Sequence, residues 1–235
     1  MSKIKRLAII PARCGSKRIL NKNIRKFCGR PIIHYVLDII NESKLFDTVH
    51  VSTDCEQIRK IVTDFGCPPD FVRPTEIADD QTPLMPVLKY VCEKYLKQGK
   101  DFDQIWLLMP TSPFLEVKDL VMAENLFSES ESSKSILAVS EYQVPIEWAF
   151  ERAKGGVLKP LQQGMLAIRS QDLSPKYHDT GSFSIFSMND ILSSVGVGNN
   201  FNFVGYVLPK YKAIDIDTLD DWYFAEALYR GMRGG

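Results

Sequence analysis

Short apolar runs alternate with longer segments whose apolar positions recur every three or four residues, up to Ser140. The short runs have the length of strands and the longer segments the period of helices. The predicted strands are Leu7–Ile10, Val49–Thr53, Ile105–Met109, Ser135–Val139, Ser182–Phe186 and Phe203–Leu208. The predicted helices are Pro31–Asn41, Cys55–Phe65, Pro86–Leu96, Val117–Phe127 and Thr218–Tyr229. The alternation predicts an α/β fold, with a Rossmann-like, mostly parallel sheet and helices on both faces.

The alternation fails after Ser140. Residues Glu141–Tyr177 mix aromatic residues, Gly and Pro without a clear period, so we expect this segment to leave the sheet. The Ser- and Glu-rich stretch Ser128–Ser135 predicts an exposed loop. A chain of 235 residues is long enough for one large α/β domain. We therefore predict a single domain over 1–235, with 141–177 as an excursion from it.

Polar residues form the tails of three of the predicted strands. They are Arg13–Lys17, Ser52-Thr53-Asp54 and Thr111-Ser112. Ligands of open parallel sheets bind beyond the carboxyl ends of the strands. These three tails are therefore expected to converge on one crevice.

The basic residues are concentrated at the start of the chain. The first 37 residues contain ten Lys or Arg and no Asp or Glu, although the whole chain has 29 basic and 29 acidic residues. Arg13, Lys17 and Arg18 lie in a Gly-containing loop directly after the first strand, where backbone N–H groups can also face an anion. The alternatives are a solvated basic surface and a targeting peptide. The apolar strand that leads into the loop favours an anion site, and triphosphate suits it.

Composition excludes several classes of protein. No apolar run approaches the roughly 20 residues of a membrane span, and there is no signal-peptide stretch, so a cytoplasmic protein is expected. The five cysteines form no C-x-x-C pair, which predicts free thiols rather than a zinc site or a disulfide framework. The P-loop and the G-x-G-x-x-G fingerprint are both absent.

Five motifs occur in a fixed order. They are Ile9–Arg13 with Gly15–Arg18 and Lys22-Asn23, Val51–Asp54, Arg73–Glu76, Pro110–Pro113, and Ile214–Thr218. Together they resemble the cytidylyltransferases that activate nine-carbon 2-keto sugar acids, and the resemblance covers nearly the whole chain. It implies the nucleotide-diphospho-sugar transferase type of fold. It also implies attack of the sugar's anomeric hydroxyl on the α-phosphorus of CTP, with release of pyrophosphate.

The resemblance also implies a nucleotide site. Its residues would be Arg13, Gly15, Ser16, Lys17, Lys22, Asn23, Arg73, Asp80, Thr82, Thr111 and Ser112. Lys22 is expected nearest the reacting phosphate, and Lys22, Arg13 and Asp217 are the expected catalytic group. Positioning and charge stabilisation would carry most of the rate enhancement, since no covalent step is needed from the protein.

Asp215 and Asp217 alternate with two isoleucines, so on a strand both carboxylates would point to one face. Such a pair suits Mg²⁺ (or Mn²⁺), which takes one or two carboxylates together with phosphate oxygens. The alternative is a solvated acidic turn, or acids placed at the start of the following helix.

The sugar acid brings its own carboxylate, and the fork of Arg169 suits a carboxylate. Gln171, Asp172, His178 and Asp179 are the other candidates for contact with the sugar; for His178 a structural or surface role is an equal alternative. This stretch, R-S-Q-D-L followed by Y-H-D, is closest to that of the pseudaminic acid enzymes. Sialic and legionaminic acids stay open as acceptors.

A homodimer is expected, because family members pack the corresponding excursion against a partner subunit. The alternatives are a CMP-Kdo synthetase, another sugar nucleotidylyltransferase, and a non-enzymatic nucleic-acid or nucleotide-binding module. The near-neutral pI and the lack of aromatics in the basic loop argue against nucleic acid. The expected partners are CTP, a nonulosonic acid and a second copy of the chain, without nucleic acid or membrane.

Overall fold

A computed structural model describes residues 3–79, 81–130, 134–196 and 202–234. Within those ranges the strands are β1 (Arg6–Pro11), β2 (Lys26–Phe27), β3 (Arg30–Pro31), β4 (Thr48–Ser52), β5 (Gln104–Leu108), β6 (Ser135–Glu141), β7 (Phe150–Arg152), β8 (Leu158–Pro160), β9 (Tyr177–Phe186) and β10 (Phe203–Val207). The α-helices are α1 (Ile33–Ser43), α2 (Glu56–Asp64), α3 (Leu84–Lys97), α4 (Val117–Glu129), α5 (Met188–Ser193) and α6 (Leu219–Met232). The predicted strands and helices are confirmed, with shifts at their ends, the largest at β9, which begins five residues before the predicted Ser182. The short strands β2, β3, β7 and β8 and the helix α5 were not predicted.

Six strands form the central sheet in the order β10-β6-β9-β5-β1-β4. β1 pairs in parallel with β4 and with β5, and β10 pairs in parallel with β6. β9 lies between β5 and β6 and runs antiparallel to both. The predicted mostly parallel sheet is confirmed, with one antiparallel strand that the pattern did not reveal.

Alternate residues of β1 enter two different cores. Ala8 and Ile10 pack in a cluster with residues of α1, α2 and α4, whereas Leu7 and Ile9 pack in a cluster with residues of α3 and α5. Successive side chains of a strand point to opposite faces, so the central strand is covered on both sides. Helices on both faces are therefore confirmed.

A third apolar cluster lies under α6. It contains Ile19, Phe27, Ile32, Phe114, Ile216, Trp222 and Ala225. The helix begins at a capping box, in which the Thr218 hydroxyl accepts from the backbone N–H of Asp221, and Asp221 accepts from the N–H of Thr218 at 2.7 Å. The helix predicted over Thr218–Tyr229 is therefore present, with Thr218 as its N-cap. This cluster joins the segment after β1, the segment after β5 and the chain entering α6.

Residues 142–176 leave the six-stranded sheet and carry the small β7–β8 hairpin. Glu141 and Tyr177, expected in the excursion, instead end β6 and begin β9 and pair with each other. Ser128 and Glu129 belong to α4 and Ser135 to β6, so the loop predicted over Ser128–Ser135 is shorter than expected. Its residues 131–133 lie outside the described part of the chain. No helix in that part is both long and apolar enough to cross a membrane.

His50 is an ionisable side chain in the core. It lies on β4, is fully buried, and stacks on Phe71 at 4.2 Å between ring centroids. Neither ring nitrogen has a hydrogen-bond partner among the described residues. Burial lowers the pKa of His50 from 6.5 to about 4. The imidazole is therefore neutral in the folded protein at neutral pH.

Acid is expected to destabilise the protein through His50. The unfolded chain binds a proton below about pH 6.5 while the folded chain does not until about pH 4, so stability falls as the pH decreases through this interval. The maximum loss is about 3 kcal/mol, from the shift in pKa. His50→Phe keeps an aromatic ring against Phe71 and should make the stability depend less on pH in this interval. Urea denaturation between pH 7.5 and 4.5 measures the free energy of unfolding of both proteins. If it depended on pH in the variant as it does in the wild type, His50 would not be the group responsible.

Candidate active site

The loop after β1 folds back beside β4. The backbone N–H of Ala12 donates to Ser52 O at 2.9 Å, and Gly15 turns the chain with φ +76°, a left-handed conformation that favours glycine. The buried amide of Asn23 donates to Arg13 O at 3.0 Å and closes the loop. In the described part of the chain, the N–H groups of Gly15 and Ser16 make no backbone hydrogen bond. These amides are available to an anion.

A cavity of about 260 Å³ opens beside this loop, at the carboxyl ends of β1 and β5. It is lined by Pro11, Arg13, Ser16, Lys22, Asn23, Arg73, Asp79, Thr82, Leu84, Val87, Met109 and Thr111. Seven of the eleven predicted nucleotide residues are among them. The predicted residues Gly15, Lys17 and Ser112 do not line it, and Asp80 lies outside the described residues.

Arg73 is a fixed positive charge in the cavity wall. It is 5% exposed, its Nε donates to Ser52 Oγ at 3.1 Å, and its Nη2 donates to Ser52 O. Burial lowers the pKa of the guanidinium to about 10, which leaves it charged at neutral pH. Together with Arg13 and Lys22 it gives the cavity three cations, and such a set suits a triphosphate.

Lys22 contacts the chain that enters α6. Its Nζ donates to Ile216 O at 2.8 Å and lies 3.1 Å from Asp217 Oδ1. Arg18 Nη1 is 2.8 Å from the other carboxylate oxygen of Asp217. The structure therefore places the predicted phosphate cation directly beside a predicted metal ligand.

The segment that carries Asp215 and Asp217 is not a strand, so that expectation is wrong. The alternation reflects burial of Ile216 in the cluster under α6, while the N–H of Asp217 donates to Asp221 at 3.1 Å. Desolvation, and then the charge of Asp217, raise the pKa of the Asp215 carboxyl. The negative charge of Asp217 therefore acts on the Asp215 carboxyl.

The acid pair fits Mg²⁺ better than a metal held wholly by protein. Among the described residues, no group of three or more His, Cys, Asp and Glu side chains is arranged to hold a metal ion. Mg²⁺ needs only one or two carboxylates when phosphates and water supply its remaining oxygens. Asp215 and Asp217 supply two such carboxylates, and Asp217 contacts the cavity residue Lys22.

Three of the predicted sugar residues, Arg169, Gln171 and Asp172, do not line the cavity beside the β1 loop. Arg169 is exposed and pairs with Asp172, with Nε to Oδ2 at 2.9 Å. Gln171 lines a second cavity of about 520 Å³ on the excursion, with Tyr142 and Lys176. Among the described lining residues, the two cavities share none. The structure therefore does not bring these side chains into contact with the nucleotide residues.

The antiparallel strand β9 places His178 and Asp179 on the edge of the sheet at which β5 ends. Leu108, the last residue of β5, pairs with Phe183, so residues 177–182 extend past the carboxyl end of β5. The His178 ring lies 5.0 Å from the Tyr142 ring, centroid to centroid. Sequence periodicity does not show whether a strand runs parallel or antiparallel to its neighbours.

Sequence reasoning missed Asp79, a carboxylate in a cavity rich in cations. Its Oδ1 accepts from the hydroxyl of Thr82 at 2.6 Å and from the N–H of Thr82 at 2.7 Å. The available signal was the D-x-x-T spacing, because Asp side chains commonly hydrogen-bond backbone a few residues on. Asp79 fixes the turn that presents Thr82.

The prediction that all cysteines are free thiols is wrong for one pair. Cys14 and Cys55 are joined as a disulfide, with Cα atoms 5.6 Å apart. They follow the adjacent strands β1 and β4, so the fold brings together residues 41 positions apart. Cys28, Cys67 and Cys92 are free thiols.

Comparison with known proteins agrees with this geometry. The sequence profile described as Cytidylyltransferase matches residues 7–152. A pseudaminic acid cytidylyltransferase of Campylobacter jejuni subsp. jejuni serotype O:2 is 34% identical over 227 residues, or 97% of each chain. A CMP-N,N'-diacetyllegionaminic acid synthase of Legionella pneumophila subsp. pneumophila is 28% identical, over 94% of this chain and 95% of that protein.

The fold has a solved counterpart. A structure of CMP:2-keto-3-deoxy-manno-octonic acid synthetase complexed with CTP superposes with a TM-score of 0.70. It has 14% sequence identity and covers 97% of this chain and 99% of that chain, so this likeness shows the fold alone. The profile match and the Campylobacter relative show more: this chain belongs to the cytidylyltransferase family, and it is a nucleotidyltransferase.

Proposed function

We propose that this enzyme joins CTP to a nine-carbon 2-keto sugar acid, giving the CMP-sugar and pyrophosphate. The observation that carries the proposal is the cavity lined by Arg13, Lys22 and Arg73, with Asp217 in contact with Lys22. Relatives named for pseudaminic and legionaminic acids, each matching nearly the whole chain, support the class of acceptor.

The reaction needs charge stabilisation and alignment from the protein. The anomeric oxygen forms a bond to the α-phosphorus, the bond from that phosphorus to the β-phosphate oxygen breaks, and the hydroxyl proton is released. Arg13, Lys22 and Arg73 would neutralise the phosphate oxygens, and the amides of Gly15 and Ser16 would orient them. Lys22 is held by Ile216 O, so its charge is placed before the nucleotide binds.

Asp215 and Asp217 would hold Mg²⁺ (or Mn²⁺). When bound, this cation polarises the α-phosphate and lowers the pKa of a coordinated hydroxyl. The ammonium of Lys22 and the guanidinium of Arg18 each contact one oxygen of the Asp217 carboxylate and so hold it in place. Asp215, whose pKa is raised by desolvation and by the charge of Asp217, would supply the second carboxylate.

For the sugar, pseudaminic acid is the proposed acceptor, and legionaminic and sialic acids are the alternatives. The sugar carboxylate would replace Asp172 as the partner of the Arg169 guanidinium. Gln171, Asp172, His178 and Asp179 would read its hydroxyl and acylamino groups. The exposed position of the Arg169–Asp172 pair makes this exchange inexpensive, because exposed ion pairs contribute little stability.

Arg169→Lys is expected to raise KM for the sugar acid about tenfold, or about 1.4 kcal/mol of binding free energy. A point charge cannot reproduce the bidentate fork that suits a carboxylate. Steady-state pyrophosphate release, with each substrate varied in turn, measures the effect, and KM for CTP serves as the internal control. Equal losses for both substrates would place Arg169 in the nucleotide site or the scaffold instead.

The excursion is also proposed to form a homodimer contact. It exposes an apolar set that includes Tyr142, Val144, Ile146, Phe150, Val157 and Leu158. Trp148, expected in the same set, is half-buried, and its indole N–H donates to Met165 O at 3.1 Å. Exposed apolar surface of this kind marks interfaces. Light scattering at the assay concentration tests the proposal, and a fully active monomer would refute it.

One assay tests the proposed reaction. The protein is incubated with CTP, Mg²⁺ and a panel of pseudaminic, legionaminic, sialic and Kdo acids, and pyrophosphate release is followed. Turnover with a nonulosonic acid is expected, fastest with pseudaminic acid. Turnover with Kdo alone would support the CMP-Kdo alternative, and polynucleotide binding without turnover would support the binding-module alternative.

A further inference from the structure

Lys212 is a buried lysine that lies outside the cavity, and its side chain is 1% exposed. Its Nζ is 2.6 Å from Asp119 Oδ2 and 2.6 Å from Glu116 Oε2. Asp119 is also buried, and its Oδ1 accepts from the hydroxyl of Tyr206 at 3.2 Å. Each oxygen of the buried carboxylate therefore has a donor.

Lys212 ends a short 3-10 turn, Lys210–Lys212, that follows β10. Asp215 is three residues further on. Residues 213–217 have no strand partner, so their position depends on side chains at either end. Ile216 is anchored in the cluster under α6, and Lys212 is the anchor on the other side of Asp215.

The opposite end of this contact is the start of α4. Asp119 accepts from the N–H of Glu116 at 2.8 Å and so closes the first turn of the helix. Glu116 follows Phe114 closely, and Phe114 shares the cluster under α6 with Ile216. The cavity residue Thr111 lies on the same connection from β5 to α4.

We propose that Lys212 is a positioning residue, which ties the Asp215–Asp217 segment to the connection that carries Thr111. The ammonium contact with Asp119 and Glu116 sets the distance between the acid pair and the nucleotide cavity. The inference rests on the proposed function of those acids. A buried ion pair is by itself weak support for stability, so its position between the two halves of the site is the relevant feature.

The single variant Lys212→Met would leave Asp119 buried without a counter-charge, and this is strongly destabilising. The double variant Lys212→Met/Asp119→Asn removes both charges and keeps the side-chain volumes similar. Lys118→Met is the matched control, since Lys118 pairs with the same Glu116 oxygen at 2.8 Å but is exposed and lies on α4, away from residues 213–217.

The double variant is expected to fold, to lose about 10- to 100-fold in kcat, and to bind Mn²⁺ about tenfold more weakly in the presence of CTP. Electron paramagnetic resonance of free Mn²⁺ measures that binding without turnover. CTP affinity in EDTA, measured by calorimetry, should stay within about twofold of the wild type, and Lys118→Met should match the wild type throughout.

Two results would overturn the proposal. A folded double variant with wild-type kcat and Mn²⁺ affinity would show that Lys212 only balances the charge of Asp119. If Lys118→Met lost as much kcat and Mn²⁺ affinity as the double variant, the loss would come from the uncompensated charge of Glu116 and not from the position of Lys212. If the wild type turned over no sugar acid, the proposed function would fail, while the Mn²⁺ comparison would still test the positioning role.

Discussion

Asp217→Asn is expected to reduce turnover by at least about 10³-fold while leaving the fold intact. The change preserves the shape of the side chain but removes the charge that faces Lys22 and Arg18 and that would bind the metal. Pyrophosphate release across a Mg²⁺ titration measures it, and the melting temperature reports on the fold. Asp215→Asn should have a similar or somewhat smaller effect.

Asp220→Asn is the matched control for Asp217→Asn. Asp220 lies in the first turn of α6 and is exposed, and its replacement by Asn removes the same charge. It should keep wild-type kcat and metal dependence. Full activity of Asp217→Asn at every Mg²⁺ concentration would show that Asp217 is not a metal ligand.

Lys22→Ala is expected to lower kcat by about two to four powers of ten, the scale of one preorganised charge contact at a reacting centre. Lys22 is mostly buried and is held by both Ile216 O and Asp217, so its ammonium is already in place. KM for the sugar acid should change little. Single-turnover and steady-state kinetics with CTP measure the effect.

Lys26→Ala is a suitable control, because Lys26 belongs to the same basic N-terminal region but is exposed on β2. Its variant should behave as the wild type. If Lys22→Ala kept near-normal kcat with only a raised KM for CTP, Lys22 would bind the nucleotide equally in ground and transition states. A transition-state role would then be wrong.

The six strands of the central sheet and the helices other than α5 were predictable because their patterns are local. A short apolar run, as at Leu7–Ile10, predicts a strand of the core. Thr218, with Asp221 three residues later, marks the start of α6. The polar loop after β1 was predictable for the same reason, since Arg13, Ser16, Lys22 and Asn23 lie within a short stretch of sequence. All four line the cavity.

Local pattern also misled in one place. The alternation around Ile214 and Ile216 has the period of a strand, but its cause is packing of Ile216 under α6. An apolar residue at every second position is compatible both with a strand and with an irregular segment that packs one side against a helix. Only the neighbours in space distinguish them, because a strand needs a partner with which to exchange hydrogen bonds.

The sequence by itself therefore determined the fold class, the strand-tail location of the site and the family to which its motifs belong. The tertiary structure decided which residues meet. Lys22 and Asp217 are 195 positions apart, Lys212 and Asp119 are 93 apart, and Cys14 and Cys55 are 41 apart. Periodicity reports only which face of its own element a residue occupies. The order and direction of the strands, above all antiparallel β9, determine which of those faces and ends become neighbours.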